Sequence, residues 1–366
     1  MSKPFVSLEL RREPSQLMLF AAPVIALVLT LVAGLVLFEL IGKPPFRAMY
    51  LIFVEPLTTY RGLAELLLKS TPLILIGIGL SFGFRAGIWN IGAEGQFIVG
   101  ALCGGAVALA FHPGGGWWLL PLMMLAGAAG GMAWASIPAL LRTRFRTNEI
   151  LVSLMLVYVA DLLLRWAVTG PLKDPQSFNF PESKLFQKAA QMPLLLPQSR
   201  AHIGFLVALL VAAVAFVLMS RHMAGYQLRV LGEAPRAARF AGFSEKRIVW
   251  LSFLTSGGLA GLAGLFEAAG PVGQLVPALP SGYGFAAIIV AFLGRLRPFG
   301  IVLAGLLLGL TAIGGESAQV SLSLPSATTA VFQGMLLFFV LAADVLVNYR
   351  VKFARGGPGA RSATGS

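Results

Sequence analysis

Apolar runs of bilayer length recur along the whole chain, separated by short polar breaks. They extend from Leu17 to Ile41, Leu63 to Phe82, Phe97 to Phe111, Trp117 to Leu141, Ile150 to Val168, Ile203 to Ser220, Ile248 to Ala269, Tyr283 to Leu293, Gly300 to Gly315 and Ser326 to Val347. A helix needs roughly 20 residues to cross the hydrocarbon core, so the pattern predicts an all-α, polytopic integral membrane protein with about ten transmembrane helices. The run from Tyr283 to Leu293, and the pair flanking Asn90 to Gln96, are short and are read as broken or re-entrant pieces. The first run is too long for a signal peptide and lacks a small-residue cleavage site, so it is expected to be a retained helix.

Composition agrees with the pattern. Of 366 residues, 57% are hydrophobic and 12% charged, more apolar surface than a soluble core can bury, so lipid must cover part of it. A net charge of +13 would suit nucleic acid, but the asymmetry of a membrane protein's loops accounts for it. With both termini cytoplasmic, most of the 28 lysines and arginines fall on the inner side, as the positive-inside rule requires. Charge therefore reports topology, and no nucleic-acid partner is expected. A single Cys103 excludes an intrachain disulfide, and His112, His202 and His222 are too far apart for a metal site.

These assignments divide the chain into a cytoplasmic segment over 1–16, a transmembrane domain over 17–348 and a cytoplasmic, disordered tail over 349–366. Within the domain, residues 170–202 form an external loop, either a solvated connector or a cover folded over an entrance. Residues 221–247 form the longest cytoplasmic loop.

Two stretches carry candidate chemistry. In G-I-W-N-I-G-A-E-G-Q, Gly87 to Gln96, glycines, an amide and a carboxylate stand between apolar runs. Backbone that leaves the helix at membrane depth must be buried in protein or line a cavity, and polar side chains there mark a path or a site. Trp89, Asn90, Gly92, Glu94, Gly95 and Gln96 are candidates for that path, together with Gly282, Tyr283, Gly284 and Phe285 at the other short run. Glu94 and Gln96 admit two readings, hydrogen bonding to a solute or closing a half-helix by satisfying freed backbone groups. Rings at Tyr283 and Phe285 can stack on a flat solute or pack as ordinary core.

The second stretch lies in the 221–247 loop. Pro235 suits the first turn of a short helix, filled by Ala237, Ala238, Arg239 and Phe240, and Gly242 can end it in the left-handed conformation. Ser244 can then cap the following helix. A two-turn helix of small residues with a protruding aromatic fits a cleft on another protein, or lies on lipid headgroups.

Three motifs in this order, G-I-W-N-I-G-A-E-G-Q, G-E-A-P-R-A-A-R-F-A-G-F and S-G-Y-G-F-A-A-I-I-V-A-F-L-G-R-L-R-P-F-G, resemble those of the membrane permease subunits of bacterial ABC importers for nucleosides. That family sits in a larger group carrying ribose, other simple sugars and branched-chain amino acids. The resemblance spans Phe82 to Asn348. It implies a multi-pass protein of the bacterial inner membrane that moves a nucleoside-like solute by alternating access. It further implies an extracytoplasmic solute-binding protein, a second related permease forming a heterodimer, and a cytoplasmic ABC ATPase. Glu233 to Gly242 would be the helix that couples to that ATPase. No G-x-x-x-x-G-K-[ST] occurs, so no cofactor is expected here and ATP would be bound by the partner. The chain departs from the family pattern at Trp89 (often Phe), Ala234 (often Asn) and Ala286 (often acidic), the last leaving the solute least defined.

The remaining polar groups read as structural. Asp161 and Arg165 are an i,i+4 pair, and Glu267, Glu316 and Asp344 lie near run ends, where solvation is cheap. Gly257, Gly258, Gly261 and Gly264 suit close helix packing, and Trp117 and Trp118 an interfacial belt. A proton-driven transporter would need mid-helix carboxylates, which are few. A membrane enzyme would need a nucleophile–base pair or metal site, and neither spacing appears.

Overall fold

A computed structural model describes residues 6–10, 16–178, 180–325 and 327–353. The chain divides into two compact units, one formed by Phe46–Thr329 and the other by Met1–Pro45 with Ala330–Ser366.

In the second of these, the first strand, β1 (Val6–Leu10), precedes helix α1 (Gln16–Leu40). On α1 an i,i+4 stripe of Val24, Val28, Val32, Val36 and Leu40 is exposed, the apolar face of a helix meant for lipid or for another apolar surface. At the far end of the chain a helix over Ala327–Asn348 leads into strand β2 (Tyr349–Phe353), which pairs antiparallel with β1, Val6 opposite Phe353 and Leu10 opposite Tyr349. This ribbon corrects the expectation of a disordered tail over its first residues: alternating Val, Leu, Tyr and Phe give both segments strand character. Residues 354–366 lie outside the described residues.

The larger unit begins with two short helices that the apolar runs did not signal, α2 (Pro45–Phe53) and α3 (Glu55–Thr58). Then come α4 (Tyr60–Arg85), α5 (Ala93–Ala110), α6 (Leu119–Phe145), α7 (Glu149–Thr169), α8 (Gly204–Arg221), α9 (Met223–Glu233), α10 (Pro235–Phe240), α11 (Glu245–Glu267), α12 (Tyr283–Leu293) and α13 (Pro298–Leu322); the Ala327–Asn348 helix, most of which belongs to the other unit, is α14. A π-turn over Ala268–Val272 extends α11. Among the described residues, seven helices are long and apolar enough to cross a membrane, and three shorter apolar ones accompany them. The protein is an all-α polytopic membrane protein.

Helix α4 is the axis of this unit: every residue from Ser70 to Phe84 is buried. Beside it, α5, α6 and α11 approach so closely that only glycine fits. A Cβ on Gly100 would lie 2.1 Å from Gly261 Cα, one on Gly131 2.0 Å from the Gly257 carbonyl, and one on Gly264 1.9 Å from the Phe97 carbonyl. Backbone contact at this range is how helices associate where hydrophobic expulsion by water is absent. The outer helices keep apolar faces: on α7, Leu151, Met155, Tyr158, Leu162 and Trp166 are all exposed.

One end of the bundle, the basic end, gathers Arg85, the α6–α7 turn with its Arg142–Glu149 ion pair, helices α9 and α10, and the α12–α13 turn. The other, the loop end, carries residues 170–203. This segment is a folded cover. Ser183 N and Phe186 N donate to the carbonyls of Leu275 and Gly273, and Met192 N to that of Ala269, while Arg200 grips Glu65 with two bonds of 2.9 Å. The cover also explains Glu267: solvation was expected at a run end, but the side chain is buried. Glu316 is exposed and pairs with Lys69 at 3.4 Å; the side chain of Asp344 lies outside the described residues.

Candidate translocation path and coupling segment

At the basic end α4 stops after Arg85, and Gly87, at φ +70°, turns the chain back into the bundle. The returning strand climbs alongside α4, with Ile88 N donating to the Gly83 carbonyl at 2.9 Å. Its polar groups are satisfied inside the protein. The Asn90 amide donates to Gln96 Oε1 and to Ser256 Oγ, each at 2.9 Å. Asn90 Oδ1 in turn accepts from Gly92 N at 3.0 Å and from Gln96 Nε2 at 3.2 Å. Ser153 Oγ accepts from Ile91 N at 3.2 Å. Without this ring the non-helical backbone would expose unpaired groups at membrane depth, at several kcal/mol each.

Helix α5 then starts at Ala93, and its Glu94 reaches the other broken element. One carboxylate oxygen accepts from Gly282 N at 2.8 Å and the other from Gly284 N at 2.5 Å. These are orphan donors of the first turn of α12, and a carboxylate there also meets the positive end of the helix dipole. Gly282 sits at φ +78°, and a Cβ on Gly284 would lie 2.3 Å from Glu94 N. The two broken segments therefore touch, Gly282 and Gly284 against Glu94.

The ten candidate path residues therefore separate by exposure. Asn90, Glu94 and Gln96 are buried and bonded within the chain. Gly92 packs on Ser153, Gly95 on Val157 and Leu156, and the buried ring of Tyr283 lies 5.9 Å from Phe97. Gly282 is half-buried, and Trp89 and Phe285 are exposed, at 40% and 39%. Trp89 stacks on Phe292 at 5.7 Å and packs against Phe84 at 5.1 Å, and Phe84 stacks on Phe292 at 5.2 Å. Sequence reading missed Ser153 and Ser256; their only signal is a hydroxyl inside an apolar helix, a signal shared by many buried serines.

The coupling segment forms as its residues dictate. Pro235 opens α10, and Gly242, at φ +76°, closes it: Phe243 N donates to the Ala238 carbonyl and Gly242 N to that of Arg239, both at 3.0 Å, a Schellman end. Ser244 Oγ accepts from Arg247 N at 3.4 Å at the start of α11. Arg239 pairs with Glu245 at 3.2 Å. Phe240 is 95% exposed, and Arg236, Ala237 and Glu233 are exposed as well. Ala238 differs from its expected place on the docking face: it is fully buried against its own chain, because it falls on the inward side of a helix with only two turns.

At the loop end, burial lowers the pKa of His202 to about 4; its Nδ1 accepts from Gly204 N at 3.1 Å, a bond open only to the neutral ring. The bond to Glu65 raises the Arg200 pKa.

A bundle of apolar helices with two broken elements joined inside it, an exposed aromatic strip and a small helix protruding from its basic end fits a membrane permease. The chain belongs to the branched-chain amino acid transport system / permease component family, whose pattern matches residues 62–341. It is 36% identical to a glucose ABC transporter permease of Haloferax volcanii, covering 98% of both chains. It is 32% identical to a guanosine ABC transporter permease of Bacillus subtilis, over 91% of this chain and 95% of that one. A nucleoside ABC transporter permease of Lactococcus lactis is 26% identical over 87% and 89% of the two chains. No solved structure matches.

Proposed function

We propose that this permease carries a nucleoside-like solute across the bacterial cytoplasmic membrane into the cell. The path runs along a face shared with a second, related permease. ATP is hydrolysed by a cytoplasmic ATPase docked on α10, and an extracytoplasmic binding protein delivers the solute. Both termini and the basic end are cytoplasmic, the orientation that the distribution of arginines favours. Nucleotide- and binding-protein-driven rocking of helices gives alternating access, and the residues of this chain carry no chemistry on the solute.

The observation that carries the solute class is the exposed Trp89, backed by Phe84 and Phe292 and flanked along α12 by Phe285. A flat base stacks on such rings, whereas no fixed charge among the path candidates faces outward to hold a phosphate or a carboxylate. The guanosine and nucleoside permeases among the relatives support the same reading. A simple sugar is the second reading, favoured by the glucose permease at 36% identity. Competition for uptake separates them: guanosine, adenosine, uridine or cytidine should compete, nucleotides should not. Competition by glucose, ribose or galactose with none by nucleosides would move the chain to the sugar branch.

A further inference from the structure

At the basic end, a cavity of about 520 Å³ opens between the end of α4, helix α9 and the α12–α13 turn. Four arginines line it, Arg85, Arg229, Arg295 and Arg297, against a single carboxylate, Glu233. Among the described residues no carboxylate pairs with Arg85, Arg229 or Arg297. Arg85 is fixed instead by donating from Nε to the Leu296 carbonyl at 2.9 Å. Arg85, Arg229 and Arg297 repel one another unless an anion joins them.

The backbone is arranged to hold this cluster together. Arg295 and Leu296 both stand in the left-handed region, at φ 54° and 55°, a conformation L-residues adopt at a cost and that collects at functional sites. Two consecutive left-handed residues turn the Leu296 carbonyl toward Arg85 and bring Arg295 and Arg297 to one wall. On the other wall, a Cβ on Gly232 would lie 2.0 Å from the Arg85 carbonyl, so only glycine lets α9 press close enough to present Arg229 and Glu233.

We propose that this cavity binds a phosphate-bearing anion. A guanidinium presents five N–H donors in a planar fork matched to phosphate oxygens. Several forks converging from three elements suit a group with three or four acceptor oxygens, more than one carboxylate offers. The volume falls in the range of ligand sites rather than of bare ions, so the phosphate carries a further group. It comes either from an anionic phospholipid headgroup or from a soluble phosphate compound. When bound, it ties α4 and the α12–α13 turn to α9, which continues into α10, so occupancy stiffens the base on which α10 stands.

The test uses the full chain in two preparations. Native mass spectrometry is run from nanodiscs of phosphatidylcholine with or without phosphatidylglycerol, and titration calorimetry in uncharged detergent with pyrophosphate. Retention of phosphatidylglycerol identifies the headgroup, and pyrophosphate binding in its absence identifies the soluble source. In either case Arg229→Gln with Arg297→Gln should weaken binding at least tenfold, while Arg236→Gln, on the exposed face of α10, should leave it unchanged. Should the double variant not fold, Arg297→Lys keeps the charge, loses the fork and should still weaken binding measurably. Absence of binding in both preparations, or equal binding by wild type and the cavity variants, overturns the proposal. So does protection of these arginines from phenylglyoxal by the ATPase alone, in lipid-free and phosphate-free solution.

Discussion

Glu94 shows how one buried carboxylate can organise two helices. Both its oxygens accept backbone N–H groups of α12, while it belongs to the first turn of α5, so the positive ends of two helices converge on it. Leaving a buried N–H unsatisfied costs about 1–3 kcal/mol, and Glu94→Ala should lower the stability of the purified permease by about 2–3 kcal/mol or more, read as a fall in thermal midpoint. A wild-type midpoint would mean that the α12 N-terminus finds other partners. His202 gives a pH-dependent counterpart. Its folded pKa, about 4, lies below the unfolded value near 6.5, so protons favour the unfolded chain, and its contribution is complete above about pH 6.5 and lost as pH falls toward 4. Thermal midpoints measured from pH 7 to pH 4 should decline across that window, and His202→Gln should flatten the decline. An unchanged slope in the variant would place the pH dependence elsewhere.

At the scale of elements, the protruding α10 and the exposed aromatic strip make the most direct predictions. Phe240→Ala and Ala237→Glu alter the exposed side of α10, so the permease should insert at wild-type yield while its ATPase no longer co-purifies. Ala238→Glu would instead bury an unpaired charge inside the permease, several kcal/mol unfavourable, and should lower the yield of the permease itself. Retention of the ATPase by both exposed-face variants would place docking elsewhere. The helices were legible in the sequence because apolar runs and caps are local: Pro235, Gly242 and Ser244 act on their own neighbours. The α4–α5 return was legible as a break, since glycines and an amide interrupt an apolar pattern. Its closure was not, because Glu94 meets Gly282 and Gly284 across 188 and 190 residues, and nothing local specifies that pairing. The short α2 and α3, nine and four residues long, fall far below the length of a membrane span. The inward turn of Ala238 depends on the rotation of a two-turn helix about its axis, which tertiary packing decides. The arginines of the basic cavity reported only topology until the fold brought α4, α9 and the α12–α13 turn together.

At the scale of the molecule, a permease is a surface for several partners, and its exposed apolar faces need lipid or protein to cover them. Trp89→Ala and Phe285→Ala, made separately, should slow uptake several-fold without altering complex assembly or the affinity of the binding protein for solute, because both rings face outward and neither closes a helix. Unaltered rates in both would return the strip to packing against lipid or the second permease. In the proposed mechanism, transport is powered through α10 by a separate ATPase. The direct measurement is guanosine uptake into proteoliposomes holding this permease, its partner permease and the ATPase, with binding protein outside and ATP inside. Uptake should require ATP and the ATPase and should be lost with Phe240→Ala. Guanosine accumulation at the same rate without the ATPase, driven by an imposed proton gradient, would contradict it.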